Sequence, residues 1–337
     1  MSIPVIVTDK EYKKGEKIFE EQGDTYRWIV SSPEEEAVAE AVRKNKARIV
    51  VLGVDTYTGE LYKALSESAA DGASLIVRHG VGCDGVDTNL CRQYNVLLAN
   101  TPGTLDQSVA EYTMALLLSL FRNVPSRDAL MREKRFVPQT GFELKGKTLG
   151  IAGLGHIGKL VARSAGIGFG MEVAAFDCIS IKHQADQAGV SSEEFMGQFG
   201  LSACYIDFNT FAASIDILSI HMPVTEDTTG YFNAERLGQL RKGTYVINTS
   251  RGKLIEETAL HDLLASGHLA GAALDVYWNE PYQPVDPKKD LRTLENTVLT
   301  PHIASDTRES NDRMEYSVLA NMEYFLAGEI EKMNLVE

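Results

Sequence analysis

The stretch TLGIAGLGHIGKL, residues 148–160, constrains the fold of this chain more than any other part of it. Gly153, Gly155 and Gly158 follow an apolar run, and Ile157, Leu160, Val161, Ala165 and Gly168 then share one helical face. A strand that passes through a GxGxxG turn into a helix is the phosphate-holding unit of a dinucleotide fold. Gly153 lets the chain turn sharply, Gly155 lets the backbone approach a pyrophosphate, and Gly158 lets the helix lie close to the sheet. The first amides of the helix then face the anion. The next apolar run, EVAAFD at 172–177, ends in Asp177, where a carboxylate accepts both ribose hydroxyls and repels a 2′-phosphate. The sequence therefore reads as an NAD site rather than an NADP site.

The rest of the chain alternates in the same way. Strand candidates before the glycine turn are residues 4–8, 48–53, 74–80 and 96–102; those after it are 172–177, 216–222, 244–250, 270–277 and 297–302. Helical patterns separate them, such as SPEEEAVAEAVRKN, read here as a serine cap, a proline at the first helical position and acids in the first turn. Strand–helix alternation predicts parallel sheets with right-handed crossovers. A length of 337 residues suggests two domains at about 150 residues each.

Composition narrows the function. Lys and Arg number 33 against 47 Asp and Glu, a net charge of -14, which disfavours nucleic acid as a partner. Cys83, Cys91, Cys178 and Cys204 form no CxxC pair, so neither a zinc site nor a disulfide framework is expected, and a reducing, cytoplasmic location is. The N-terminus shows no signal-peptide pattern. The oily run from Tyr112 to Phe121 is about half of the ~20 residues a membrane span needs and reads as a buried helix.

Three strand candidates of the second half run into polar groups: VINTSRG into Arg251, ALDVYWNEP into Asp275 and Glu280, and VLTPHIAS into His302. Ligands of open α/β sheets bind beyond the carboxyl ends of the strands. Hydride chemistry at a carbonyl needs a proton donor, for which histidine is suited, and a cation to hold the substrate. Taken with GLGHIG, FD and HMPVTEDTTG, these motifs in this order resemble the D-isomer-specific 2-hydroxyacid dehydrogenase family. HGVGCDGVD and NTPGTLDQSVAEYTMALLLSLFR resemble its substrate loop and linker helix, so the likeness covers nearly the whole chain.

The resemblance implies an NAD-dependent enzyme that interconverts a small 2-keto acid and its D-2-hydroxy acid, without a metal. It implies an α/β architecture of two parallel-sheet domains: a flavodoxin-like substrate domain at 1–102 plus 304–337, and a Rossmann coenzyme domain at 103–303, with catalysis in the cleft. Arg251 matches the substrate arginine, His302 the proton donor and Glu280 the acid paired with it; Asp275 matches the acceptor near the nicotinamide. Gly80, Val81 and Gly82, with Arg251 and His302, would hold the substrate. His156 and Ile157 would lie on the pyrophosphate, Met222 and Pro223 beside the adenosine, and Thr249 and Ser250 along the nicotinamide ribose, with Ala304 also among the cofactor-binding residues. The helix from Gln107 to Arg122 resembles the segment with which relatives form homodimers.

The likeness is strongest to the phosphoglycerate dehydrogenase branch, notably in ELKGKTLGIAGLGHIG. That branch carries an arginine where this chain has Gly53-Val54-Asp55, which disfavours a phosphorylated substrate, and a C-terminal regulatory domain is not expected. Two other readings stand beside the enzyme: a corepressor-like NAD sensor without catalysis, and a phosphoglycerate- or phosphite-type dehydrogenase. The stretch 179–206 is longer than in typical relatives and is expected to decorate the surface.

Overall fold

The computed structural model describes residues 2–69 and 72–336. The chain divides into two compact units, Met1–Leu105 with Asp306–Glu337, and Asp106–Ser305. In the first, β1 (Ile3–Thr8), α1 (Asp9–Glu21), β2 (Tyr26–Ser31), α2 (Glu35–Asn45), β3 (Ile49–Leu52), α3 (Glu60–Ala69), β4 (Ser74–Arg78), α4 (Thr88–Gln93) and β5 (Val96–Ala99) alternate. The five strands form a parallel sheet in the order β2-β1-β3-β4-β5. β3 and β4 are buried along their whole length, which is why IVVL and the LIV of SLIVR read as apolar runs. β2 lies at the edge and is mostly part-covered or exposed, so its YRWIVS gave no buried apolar run to find.

The expected start of α2 is corrected. Ser32 does not cap it; the helix begins at Glu35, after Glu34 in extended backbone. The Glu35 carboxylate instead accepts from the amides of Thr58, Gly59 and Leu61, where α3 begins. An acid expected to favour its own helix start therefore satisfies the orphan donors of the next.

The second unit opens with α5 (Asp106–Arg122) and α6 (Val124–Arg132), then runs β6 (Thr148–Ala152), α7 (His156–Arg163), β7 (Glu172–Phe176), α8 (Ile181–Ala188), α9 (Ser192–Phe199) and β8 (Ala203–Tyr205). It continues with α10 (Phe208–Ser214), β9 (Ile217–Ile220), α11 (Ala234–Gln239), β10 (Thr244–Asn248), α12 (Glu257–Ala265), β11 (Leu269–Leu274) and β12 (Thr297–Leu299). Its strands form one parallel sheet, β12-β11-β10-β9-β6-β7-β8. From β6 the chain adds strands to one side and from β9 to the other, so the strand order reverses between these two. That switch point is where an open α/β sheet leaves a crevice beyond its strand tips. α13 (Arg308–Ala327) returns to the first unit and packs Val318, Leu319 and Met322 against its sheet.

Two apolar layers sandwich the larger sheet. Leu117, Phe121, Val161 and Phe195 meet Leu149 and Ile151 on one face; Phe211, Ile215 and Leu260 meet Leu218 and Val246 on the other. The first layer accounts for the apolar character of α5, whose Met114, Leu116, Leu117 and Leu120 belong to it. It also corrects the reading of 179–206 as surface decoration. Ala185 of α8, Phe195 of α9 and Leu201 belong to that layer, β8 extends the sheet edge, and the Gly200 carbonyl lies where a Cβ on Gly166 would be. Phe195→Ala should therefore cost ~3–5 kcal/mol of unfolding free energy, as a core truncation does. Urea denaturation of the two proteins checks this; a loss within ~0.5 kcal/mol would mark a surface segment.

Candidate active site

The glycine turn joins β6 to α7 with Gly153 at φ 96°, a region open to glycine. A Cβ there would lie 2.6 Å from the His221 carbonyl oxygen and 2.9 Å from the Met222 nitrogen. Gly153 thus packs directly against the peptide that follows β9, which brings two expected cofactor segments together. A Cβ on Gly158 would strike the Gly153 carbonyl, so the helix can approach the turn only without one. Gly155 stands at the N-cap of α7 and offers no side-chain cap, and a Cβ there would meet open space. The amides of His156 and Ile157 in the first turn therefore have no acceptor within the helix, and this cradle fits a pyrophosphate. Asp177, just past β7, is half-buried. Its Oδ2 accepts from the Leu154 amide at 2.6 Å and its Oδ1 from the Ile179 amide at 2.8 Å, so the carboxylate is fixed beside the turn.

Beyond β9, His221 Nε2 pairs with Ser219 Oγ at 2.8 Å, and burial pushes the imidazole pKa down to about 3. Pro223 accepts from the Thr228 hydroxyl at 2.7 Å, which shapes the loop after Met222.

The tip of β10 is organised by Asn248, fully buried and not singled out in the sequence. Its Oδ1 accepts from the Ser250 amide and hydroxyl, and its Nδ2 donates to the Arg251 carbonyl at 2.8 Å. Thr249 meets Thr113 of α5 at 2.8 Å between hydroxyls. Gly252 follows against Tyr277, whose backbone occupies the place of a Cβ on Gly252. Arg251 is thereby held with extended backbone where the tips of β10 and β11 touch.

Asp275, wholly buried, follows β11. Its Oδ1 accepts from the Thr300 hydroxyl at 2.6 Å and the Ile303 amide at 3.0 Å, and its Oδ2 from the Ala304 amide at 2.8 Å. Those donors flank His302, which stands in the left-handed region at φ 55°. His302 Nδ1 lies 2.6 Å from Glu280 Oε2, and Glu280 Oε1 accepts from the Tyr277 amide at 2.9 Å. Burial would raise the Glu280 pKa, but the hydrogen bond and charge of His302, the Tyr277 amide and the Arg251 charge outweigh it and hold the carboxyl below its ordinary range. The Nδ1 contact leaves Nε2 as the nitrogen turned to any other partner.

In the first unit the expected substrate loop follows β4. Gly80 has φ 134°, its amide donates to Thr101 Oγ1 at 3.0 Å, and its carbonyl accepts from the Thr101 amide at 3.1 Å. Val81 is exposed and its carbonyl accepts from Asn100 Nδ2 at 2.8 Å. Among the described residues no group of three or more His, Cys, Asp or Glu could hold a metal ion, and no helix is long and apolar enough to cross a membrane.

Comparison with known proteins bears on this arrangement. Residues 114–304 match the profile of the D-isomer specific 2-hydroxyacid dehydrogenase, NAD binding domain. The chain belongs to that family. It is 32% identical over 332 residues to a glyoxylate reductase of Korarchaeum cryptofilum, covering 97% of this chain and 93% of that one. A solved D-lactate dehydrogenase from Aquifex aeolicus, complexed with NAD and lactic acid, superposes with a TM-score of 0.82 at 25% identity over 98% of both chains. An NADPH-dependent glyoxylate/hydroxypyruvate reductase from Sinorhizobium meliloti, in complex with NADP and malonate, gives 0.79 at 25% identity over 97% of this chain and 94% of that one. The chain spans 43% of the Archaeoglobus fulgidus phosphoglycerate dehydrogenase that it matches at 37% identity over 72% of its own length.

Family membership does not account for the depressed pKa of His221, which has its own consequence. An unfolded histidine takes up its proton near pH 6.5; the folded one resists until about 3. The stability this group supports is therefore complete above about pH 6.5 and drains away as the pH falls towards 3. His221→Gln keeps a partner for Ser219 and removes the titration. The difference in unfolding free energy between wild type and variant should shrink steadily from pH 7 to pH 4, measured by urea denaturation at each pH; a constant difference refutes it.

Proposed function

We propose that this dehydrogenase reduces a small 2-keto acid of the pyruvate, glyoxylate or hydroxypyruvate type to its D-2-hydroxy acid, with NADH. The observation that carries the reading is the 2.6 Å pairing of His302 Nδ1 with Glu280 Oε2, with the charge of Arg251 acting on the same carboxylate. Bound nicotinamide dinucleotide supplies a hydride for the keto carbon. Arg251 offers a planar fork to the substrate carboxylate and the neighbouring carbonyl oxygen. His302 donates a proton from Nε2 to that oxygen, while Glu280 steadies the positive ring from Nδ1. The Val81 and Gly82 amides grip the carboxylate. In this reading the unit Met1–Leu105 with Asp306–Glu337 serves the substrate and Asp106–Ser305 the coenzyme.

NAD is favoured over NADP because Asp177 sets a fixed negative charge beside the turn, where a 2′-phosphate would lie. Residues 153–158 hold the pyrophosphate, Met222 and Pro223 flank the adenosine, and Thr249, Ser250, Asp275 and Ala304 serve the nicotinamide half. None of the four cysteines, all among the described residues, forms a disulfide, which suits the reducing cytoplasm. A keto-acid panel followed by NADH absorbance should find turnover, with NADH preferred over NADPH by about tenfold or more, equivalent to ~1.4 kcal/mol. On the best substrate His302→Ala should lose ~10²–10⁴-fold in kcat. Unimpaired turnover in that variant would defeat the assignment; no turnover by wild type on any keto acid would favour the NAD-sensor reading.

We assign the protein as a homodimer, through the surface after α5 rather than α5 itself, whose apolar residues are largely buried in their own unit. Phe136 is 84% exposed, and Met131, Val137 and Phe142 are exposed with it. So large a set of exposed apolar side chains suits a second copy. The double variant Phe136→Asp/Phe142→Asp should run as a single chain by light scattering where wild type runs as two; a wild type of one-chain mass would rule the dimer out.

A further inference from the structure

We infer that Glu315 and Asn321, both on α13, are positioning residues that aim the amides of the substrate loop Gly80–Gly82, acting through His79 and Asn100. The inference rests on the proposed role of that loop, and every contact in it lies within one unit. The geometry starts from the loop carbonyls. Gly80 O is held by the Thr101 amide and Val81 O by Asn100 Nδ2. In a trans peptide the N–H points opposite to the preceding C=O. Pinning these two carbonyls therefore turns the Val81 and Gly82 N–H groups to the other side, and neither donates within the chain among the described residues. Two adjacent outward amides make a concave anion grip.

α13 supplies the backing at two points. Asn321 Nδ2 donates to the Asn100 carbonyl at 3.1 Å and its Oδ1 accepts from the Asn334 amide at 2.8 Å, while the Asn100 amide donates to the Asn334 carbonyl at 3.0 Å. Asn100 is thus fixed from behind before it reaches Val81. One residue ahead of the loop, His79 Nε2 meets Glu315 Oε1 at 2.8 Å, with side-chain exposures of 2% and 0%. Glu315 enters this position because Gly15 of α1 has no side chain where the carboxyl lies. Its Oε2 has no hydrogen-bond partner among the described residues. A buried carboxylate with an unmade hydrogen bond is a poor way to stabilise a helix–sheet contact, and an apolar pair of the same shape would serve stability as well or better. The directional hold on His79 is what this pair provides and an apolar pair would not.

The test compares Asn321→Ala, Glu315→Ala and Glu315→Gln with wild type by steady-state kinetics and by amide hydrogen exchange. The two alanine variants should raise KM for the best keto acid by about tenfold, with kcat and the KM for NADH within twofold, and should speed exchange at residues 80–83 but not in the seven-stranded sheet. Glu315→Gln keeps an oxygen acceptor for His79 and should stay near wild type. Asn100→Ala cuts the same relay on the loop side and replaces Asn321→Ala if that chain does not fold. Unchanged exchange at 80–83 overturns the proposal, as does faster exchange with an unmoved keto-acid KM or a parallel loss in both substrates. Should wild type reduce no keto acid, the proposed function falls separately, and exchange alone then decides whether α13 holds the loop.

Discussion

The buried carboxylate of Asp275 ties the tip of β11 to the segment after β12, and the geometry at His302 follows from it. A carboxylate taken out of water is expensive unless its oxygens are met. Here three donors, the Thr300 hydroxyl and the Ile303 and Ala304 amides, meet both oxygens. Networks so satisfied are stiff. The stiffness is needed because His302 sits at φ 55°, which costs a non-glycine residue roughly 1–2 kcal/mol. Such a backbone persists where its surroundings over-determine it. Glu280 is fixed from the same strand tip, through the Tyr277 amide, so imidazole and carboxylate are both referred to one rigid point.

Close backbone contacts do the equivalent work at the neighbouring tips. Gly153 lies against the His221–Met222 peptide, Gly158 against the Gly153 carbonyl and Gly252 against Tyr277. Each brings two chain segments nearer than any side chain allows. The tips of β6, β9, β10 and β11 are drawn together at these contacts, and Asn248 then sets the direction of the Ser250–Arg251 segment by hydrogen bonds alone. The Ser250 and Arg251 side chains are thus mounted on backbone that has little freedom to move.

Much of this was legible in the sequence, for reasons particular to certain residues. The interior strands of the smaller sheet are covered on two faces, so IVVL and the LIV of SLIVR are apolar runs that stand out. The strands stop two to three residues before the runs do: β4 at Arg78, β10 at Asn248 and β12 at Leu299. The surplus residues, such as Gly80, Thr249–Ser250 and Thr300–His302, are the ones to which the proposal gives roles, because a parallel sheet leaves its polar work to the tips. Periodicity could not separate the last paired residue from the first functional one. It failed at the edges for the opposite reason. β2 and the three-residue β8 are half covered and lack a run. The segment 179–206 was expected at the surface; α8 and α9 each bury few residues, yet Phe195 among them is deep in the core. Asn248 gave no signal, since a buried asparagine at a strand end differs from a turn asparagine only in what it touches.

Under the proposed function, holding the substrate is a problem of scale. A pyruvate-sized acid has about six non-hydrogen atoms, and even the best small ligands gain only ~1.5 kcal/mol from each. No apolar surface of consequence is available to hold it, so the hold must come from charge and directed hydrogen bonds, whose worth depends on being in place beforehand. In the larger unit that readiness is built from side chains on locked tips. In the smaller one it is built from backbone, with carbonyls tied back so that amides face outward. Polar groups spent inside the fold, Asp275, Asn248, Asn321 and Glu315 among them, weaken the case for each as a stabiliser and strengthen it for each as a means of direction. A core of hydrocarbon alone would fold these sheets, but it would leave their tips free to turn.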